Sequence, residues 1–287
     1  MQIGPLTFKI SGRLPRIACL KSEYYQYADD PADCLQELKR RRAADVFTFV
    51  QRITEATPQF DYPHLDWDEL AVLRFTSYED WWKNQINDKT RNMVRKAAKK
   101  GIEVRTVDFN GELITGIKSI YDEFPLRQGK LFKHYGKDFA TLYAAHESFL
   151  ERSEFIGAYL GDHLVGFIKL VFDIHSASIM QIISMFKHRD KAPTNALLAK
   201  AVEICAARDL HMIHYGIWSE RSIGDFKKHH GFERHRVPRY YVPINWRGRF
   251  CLRLKLHRPL VAWLPQTWFE WLLDQRARYY FRKYGHP

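Results

Sequence analysis

Cysteine is scarce in this 287-residue sequence: Cys19, Cys34, Cys205 and Cys251 lie far apart and form no CxxC pair. That spacing argues against a disulfide framework, and reduced thiols in a cytoplasm are the simple reading. No unbroken apolar run approaches the roughly 20 residues of a membrane-spanning helix. The opening stretch, MQIGPLTFKI, lacks the basic start, apolar run and cleavage site of an export signal, which again points to a cytoplasmic protein. GxSxG, Walker-type and dinucleotide-binding glycine patterns are missing, so the enzymes built on them drop out. No metal is expected either, because His211 and His214, and the adjacent His229-His230, have no cysteine to complete a ligand set. Repeats and low-complexity segments are absent as well.

What is abundant is apolar and basic. At 46% hydrophobic the chain can bury a sizeable core, as one large domain or two sharing an interface. Its formal charge of +12 favours an anionic partner: nucleic acid, a phosphorylated cofactor or an anionic lipid surface. More than half of that excess sits between Trp246 and Pro287, where nine Lys/Arg face two carboxylates.

The order of elements is legible. Residues 16 to 53 read as strand, helix, strand, with Val46/Thr48/Val50 alternating against Phe47/Phe49. A strand at Leu70–Phe75 leads to Ser77, a helix cap before Tyr78-Glu79-Asp80-Trp81-Trp82. Helices follow at Asp88–Lys100, stopped by Gly101, and at Glu112–Phe124 and Phe139–Glu151, with a strand at Ile102–Val107. A hairpin of Phe155–Leu160 and Leu164–Phe172 precedes the strand Ala177–Phe186. The helix Pro193–Arg208, the strand Met212–Ile217, a short helix at Ile223–His229 and the strand Arg239–Ile244 complete a mixed sheet with helices packed over it. The expected division is an αβ unit over residues 1–75, a main domain over 76–245 and a basic helical tail over 246–287.

Three basic segments each admit two readings. Arg91, Arg95 and Lys99 form one row of a helix, either an ordinary solvated face or a phosphate-facing wall. The long loop 125–137 holds Arg127, Lys130, Lys133, His134 and Tyr135, and is either a basic surface excursion or a site for an acceptor's phosphate or carboxylate. In the tail, Val261, Trp263, Leu264, Trp268, Phe269, Trp271 and Leu272 crowd into a helix over Leu256–Trp271, which either packs on the core or lies on an anionic membrane.

From Phe155 to Ile244 the element order resembles the core of the GNAT acyltransferases, in which an amine attacks an acyl thioester or ester held in a cleft. The glycine-rich pyrophosphate loop of that superfamily has no counterpart: Lys187-His188-Arg189-Asp190-Lys191-Ala192-Pro193-Thr194-Asn195-Ala196 contains no glycine. The chain is more similar to the Fem-type aminoacyltransferases, which build peptidoglycan cross-bridges from aminoacyl-tRNA. Three stretches carry that resemblance: Lys89-Thr90-Arg91-Asn92-Met93-Val94-Arg95-Lys96-Ala97 with Lys100-Gly101; Ala192-Pro193-Thr194-Asn195; and Tyr215-Gly216-Ile217 with Asp225-Phe226-Lys227-Lys228-His229-His230-Gly231-Phe232. It implies a GNAT-like α/β fold with a mixed, mainly antiparallel sheet, in which residues 1 to about 70 stand for a truncated first lobe. It also implies a donor, aminoacyl-tRNA or acyl-CoA, used as a co-substrate rather than a tightly bound cofactor. The implied acceptor is an amine or hydroxyl, as on an envelope precursor, and Phe226 and Lys227 match the family's Phe-Lys pair at the tRNA acceptor end.

Acyl transfer needs a deprotonated nucleophile, a stabilised oxyanion and a protonated leaving group. Lys227, Tyr215 and Glu220 are the candidates for that chemistry, with Phe226, Lys228, Lys187, Thr194 and Asn195 toward the donor. The competing reading of Lys227 and Lys228 is ordinary surface lysines at a helix end. A catalytically inactive GNAT-like protein that binds RNA or an anionic membrane is the alternative function.

Overall fold

The computed structural model describes residues 1–55, 57–220, 222–258 and 265–285, with the backbone alone for Ser222 and Gln266. Val261, Trp263 and Leu264 lie outside the described residues. The chain divides into two compact units: Met1–Ala71 with Gly216–Trp218 and Arg234–Leu264, and Val72–Tyr215 with Ser219–Glu233 and Pro265–Pro287.

The first unit opens with a hairpin that the sequence pattern did not announce, β1 (Gln2–Ile3) and β2 (Leu6–Ser11). β2 pairs antiparallel with β3 (Ile17–Leu20), and β3 pairs parallel with β4 (Val46–Val50) across the helix α1 (Pro31–Arg40). Asp30 caps α1 by accepting from the Ala32 and Asp33 amides, and Pro31 occupies the first turn, where no amide donor is needed. All five residues of β4 are buried, so its Val/Phe alternation does not separate a wet face from a dry one. The reason is its interior position, with β3 on one side and β13 (Glu233–Pro243) antiparallel on the other. β13 begins six residues earlier than the apolar pattern suggested. Phe8, Leu20, Leu38, Phe47, Phe49 and Tyr240 form this unit's core, with Phe49 and Tyr240 stacked at 5.0 Å. Beside it Arg239 donates to Glu23 and Asp68 at 2.8–3.1 Å and to Tyr24 Oη at 3.2 Å.

β5 (Leu65–Arg74) carries the chain from the first unit into the second. There Ser77 caps α2 (Tyr78–Asp80), as expected, and a π-helical turn, Trp81–Gln85, leads to α3 (Asp88–Lys99). β6 (Ile102–Val107), α4 (Gly111–Asp122) and α5 (Phe139–His146) follow, with the small hairpin β7 (Leu126–Arg127) and β8 (Lys130–Leu131) inside the long loop. The strands β9 (Ser153–Leu160), β10 (His163–Phe172) and β11 (Ala177–Ser184) form an antiparallel meander, and β6 pairs antiparallel with β9. α6 (Pro193–Ala207) packs on β10, and β12 (Met212–Ile217) then pairs parallel with β11. The helix α7 (Ser222–His229) precedes β13. Ile114, Ile117, Tyr121, Leu142, Phe155 and Phe167 form one core cluster of this unit.

The tail departs from the expected single helix. α8 (Trp246–Arg253) belongs to the first unit and α9 (Gln266–Tyr284) to the second. α9 packs on β8. A Cβ on Gly129 would fall 2.8 Å from the Ala277 methyl, so glycine at 129 is what permits that approach.

Candidate active site

β11 and β12 register only at Ala177–Ile213 and Ser178–His214. Beyond those pairs the strands part, and a cavity of about 930 Å³ opens, lined by Gln181–Ser184 from β11 and Tyr215 from β12. Its remaining wall comes from β7–β8 and the residues after them (Arg127, Lys130, Leu131, Lys133), from Arg189 and Thr194 before and within α6, and from Ile223 and Phe226 on α7. Such volume with a mixed apolar and cationic lining suits a bound co-substrate.

The Gly231-Phe232 stretch has a definite physical role. Gly231 takes a φ of +83°, the Phe232 amide donates to Lys227 O, and the Gly231 amide donates to Lys228 O, each at 3.0 Å. This is a Schellman cap, which consumes the carbonyls orphaned at the end of α7. The next two carbonyls are also used: Thr90 Oγ1 donates to His229 O, and Trp81 Nε1 to His230 O, both at 3.0 Å. Two of the three resemblance-bearing stretches, far apart in sequence, thus meet at one helix terminus.

α7 is thereby held with Phe226 in the cavity wall and Lys227 turned inward. Lys227 is 3% exposed, and its ammonium lies 4.5 Å from the centre of the Tyr215 ring. Burial lowers its pKa to about 8. It is therefore not a surface lysine, and it reaches the cavity by way of Tyr215. His230 is buried too; its Nδ1–H donates to Phe226 O at 2.7 Å, and burial holds the ring neutral with a pKa of about 4. Glu220 and Lys228 are exposed and face each other at 3.6 Å.

The loop candidates separate. Lys130 and Lys133 line the cavity. Arg127 also does, but its guanidinium is committed to the Ser184 and Ile120 carbonyls at 2.8 and 3.1 Å and to Glu123, and it lies 4.0 Å over the Phe186 ring. His134 stacks on Tyr121 at 4.9 Å and is held neutral, with a pKa of about 4, by burial and by Lys133 and Lys137. Tyr135 is exposed. On α3, Arg91 donates to the carbonyls of Trp82, Lys83 and Ile86 and pairs with Asp88, so it caps the π-helical turn. Arg95 lies 5.6 Å over the Trp82 ring, and Lys99 is exposed.

Around the glycine-free connection, Thr194 Oγ1 meets Ser184 Oγ at 2.8 Å at the cavity wall. Asn195 lies half-buried on α6. Lys187 is exposed beside a second cavity, of about 720 Å³, with His188 and Tyr159. Sequence reasoning passed over Glu123. Its carboxylate accepts from the Phe186 and Lys187 amides at 2.6 and 2.9 Å while pairing with Arg127, so a side chain occupies backbone donors in the connection where a pyrophosphate loop was sought. It also passed over Ser184, Gln181 and Arg189; no local pattern marks a residue as cavity-lining when the cavity comes from two strands parting. Among the described residues, no group of three or more His, Cys, Asp or Glu side chains is placed to hold a metal ion.

No protein-family model matches the sequence, and no curated protein does. Solved structures resemble it. The C-terminal domain (DUF2156) of a putative lysylphosphatidylglycerol synthetase from Agrobacterium fabrum has a TM-score of 0.57 and 15% identity, covering 86% of this chain and 83% of that one. L-PGS from Bacillus licheniformis also has a TM-score of 0.57, at 11% identity, covering 83% and 81%. FemX is more distant, at a TM-score of 0.49 and 15% identity over 75% and 70%, and carries no further weight. At such identities the likeness is one of fold. The fold is GNAT-like, with a mixed, mainly antiparallel sheet flanked by helices, as the resemblance implied.

Proposed function

We propose that this protein transfers an aminoacyl group from aminoacyl-tRNA to a hydroxyl of an anionic phospholipid. The observation that carries this reading is the cavity at the parting of β11 and β12, with Tyr215 and Phe226 in its wall and Lys130, Lys133 and Arg189 around it. Cations at a concave, partly apolar site suit an anionic substrate whose other end is uncharged. Glu123 supports an ester donor over coenzyme A, since it already occupies the Phe186 and Lys187 amides. The acceptor is suggested by the two structural neighbours named for lysylphosphatidylglycerol synthesis.

In the proposed reaction the acceptor oxygen bonds to the acyl carbon, the ester to the tRNA ribose breaks, and the acceptor's proton ends on the ribose oxygen. Tyr215 donates a hydrogen bond to the oxyanion that forms between those events. Lys227, 4.5 Å from the ring centre, strengthens that donor through the ring face. Phe226 offers a stacking surface to the terminal base of the donor. Thr194 and Ser184, hydrogen-bonded to each other at the cavity wall, orient the acyl carbonyl.

Purified protein incubated with labelled aminoacyl-tRNA and phosphatidylglycerol vesicles is expected to move label into the solvent-extractable lipid, and Tyr215→Phe to slow this at least tenfold. Transfer from acyl-CoA but not from aminoacyl-tRNA would refute the donor. Label delivered to an added amine but never to lipid would refute the acceptor. Tight, salt-sensitive tRNA binding without any transfer, unchanged in Lys227→Ala, would instead make the protein a non-catalytic binder.

A further inference from the structure

The sequence of α9 distributes its side chains in a way that core packing does not explain. At helical spacing Trp268, Trp271, Leu272 and Tyr279 fall on one face, while Leu273, Ala277, Tyr280 and Phe281 fall on the opposite one. The second set is half-buried, and Ala277 lies against Gly129. The first set is exposed, Trp268 by 65%, Tyr279 by 60% and Trp271 by 58%. Arg276 and Lys283 flank the stripe on one side, Arg278 and Arg282 on the other, and all four are exposed. The helix's two carboxylates, Glu270 and Asp274, fall away from the stripe.

We propose that this face of α9 docks in the headgroup region of an anionic bilayer, with its indoles and Leu272 at the acyl boundary and its four cations among the phosphates. An apolar stripe bordered on both sides by cations is what such an interface selects. A nucleic-acid surface is a poorer match, because the stripe's centre would set two indoles and a leucine against phosphates. The first unit repeats the composition on its own. In α8, Trp246, Phe250 and the following Leu254 are exposed at i, i+4, i+8 among Arg247, Arg249 and Arg253, and residues 246–258 contain no carboxylate. Among the described residues no helix is long and apolar enough to cross a membrane, so the contact is in-plane.

Docking also has a consequence for the cavity, and this part rests on the function proposed above. α9 packs on β8, and β8's Lys130 and Leu131 line the cavity. A bilayer under α9 would therefore lie beside the cavity wall, where a lipid acceptor enters without leaving the interface.

The test is flotation of the full chain with vesicles of equal parts phosphatidylglycerol and phosphatidylcholine, against phosphatidylcholine alone. Binding to the anionic vesicles only is expected. Arg276→Gln with Arg282→Gln should weaken it about 25-fold, at about fivefold for each cation, and Trp268→Ser with Trp271→Ser at least about tenfold. Quenching of tryptophan emission by bromine-labelled acyl chains should fall in the tryptophan variant. All four positions are exposed, so thermal unfolding should match wild type in both variants. Equal binding to neutral vesicles, undiminished binding by the variants, or loss of tRNA binding in the arginine variant with vesicle binding intact would overturn the proposal. Flotation requires no turnover, so a protein that floats but transfers nothing counts against the proposed reaction alone.

Discussion

Replacing Lys227 by methionine should remove a pH-dependent loss of stability and lower activity together. Lys227 is 3% exposed, and burial depresses its pKa from 10.5 to about 8. A depression of that size corresponds to about 3 kcal/mol against the charged form in the folded state. Methionine fills similar volume without a charge and so lacks this penalty. The folded pKa lies below the unfolded one, so the lysine's contribution to stability is complete above pH 10.5 and lost as pH falls through 8. The stability of the variant relative to wild type should therefore be constant below pH 8 and fall by about 3 kcal/mol between pH 8 and 10.5. Urea unfolding at pH 7 and pH 10, beside the aminoacyl-transfer assay, measures both effects. Transfer should fall about 100-fold if Lys227 supports an oxyanion donor. A variant less stable than wild type at pH 7, with no pH-dependent gap, would show that Lys227 serves the fold. A variant with the pH-dependent gap but unchanged transfer would remove it from the chemistry.

His146, 5% exposed and hydrogen-bonded to Tyr121 Oη at 3.1 Å, has a pKa lowered by burial to about 4. Its contribution is complete above pH 6.5 and lost as pH falls through 4, so His146→Asn should flatten the acid limb of the stability profile measured by circular dichroism. Glu123→Ala strips the acceptor from the Phe186 and Lys187 amides and the partner from Arg127, and should cost about 3 kcal/mol, with faster hydrogen exchange at those two amides. Arg239→Ala leaves Glu23 and Asp68 without their shared cation in the first unit and should cost about 3–5 kcal/mol in denaturant unfolding, whereas an equally stable variant would show that water replaces the guanidinium.

Apolar periodicity and caps made most elements legible. Ser77 does cap α2, Gly101 does follow α3, and the β9–β10–β11 meander falls within two residues of the expected bounds. The strand and helix order was enough to suggest a GNAT-like sheet because each hydrophobic period is a local property of the chain. The tail was misjudged in extent. Crowded tryptophans signal burial and interface equally in one dimension, and exposure at Trp268 and Trp271 separates the two only once Ala277 is seen against Gly129.

The candidate site was legible in part. Tyr215, Phe226, Thr194, Lys130 and Lys133 come together at one cavity although up to 96 positions separate Lys130 from Phe226. The residues themselves determined that a short basic helix would end at Gly231-Phe232, because a left-handed glycine followed by an apolar residue closes a helix by local hydrogen bonding. Only the tertiary structure decided which way Lys227 points. Thr90 and Trp81 take the last carbonyls of α7 and fix its rotation, and that rotation buries one lysine of the adjacent pair while leaving Lys228 in water. Composition cannot encode this, since neighbouring lysines on a helix are chemically identical until packing from distant segments makes one of them costly to charge.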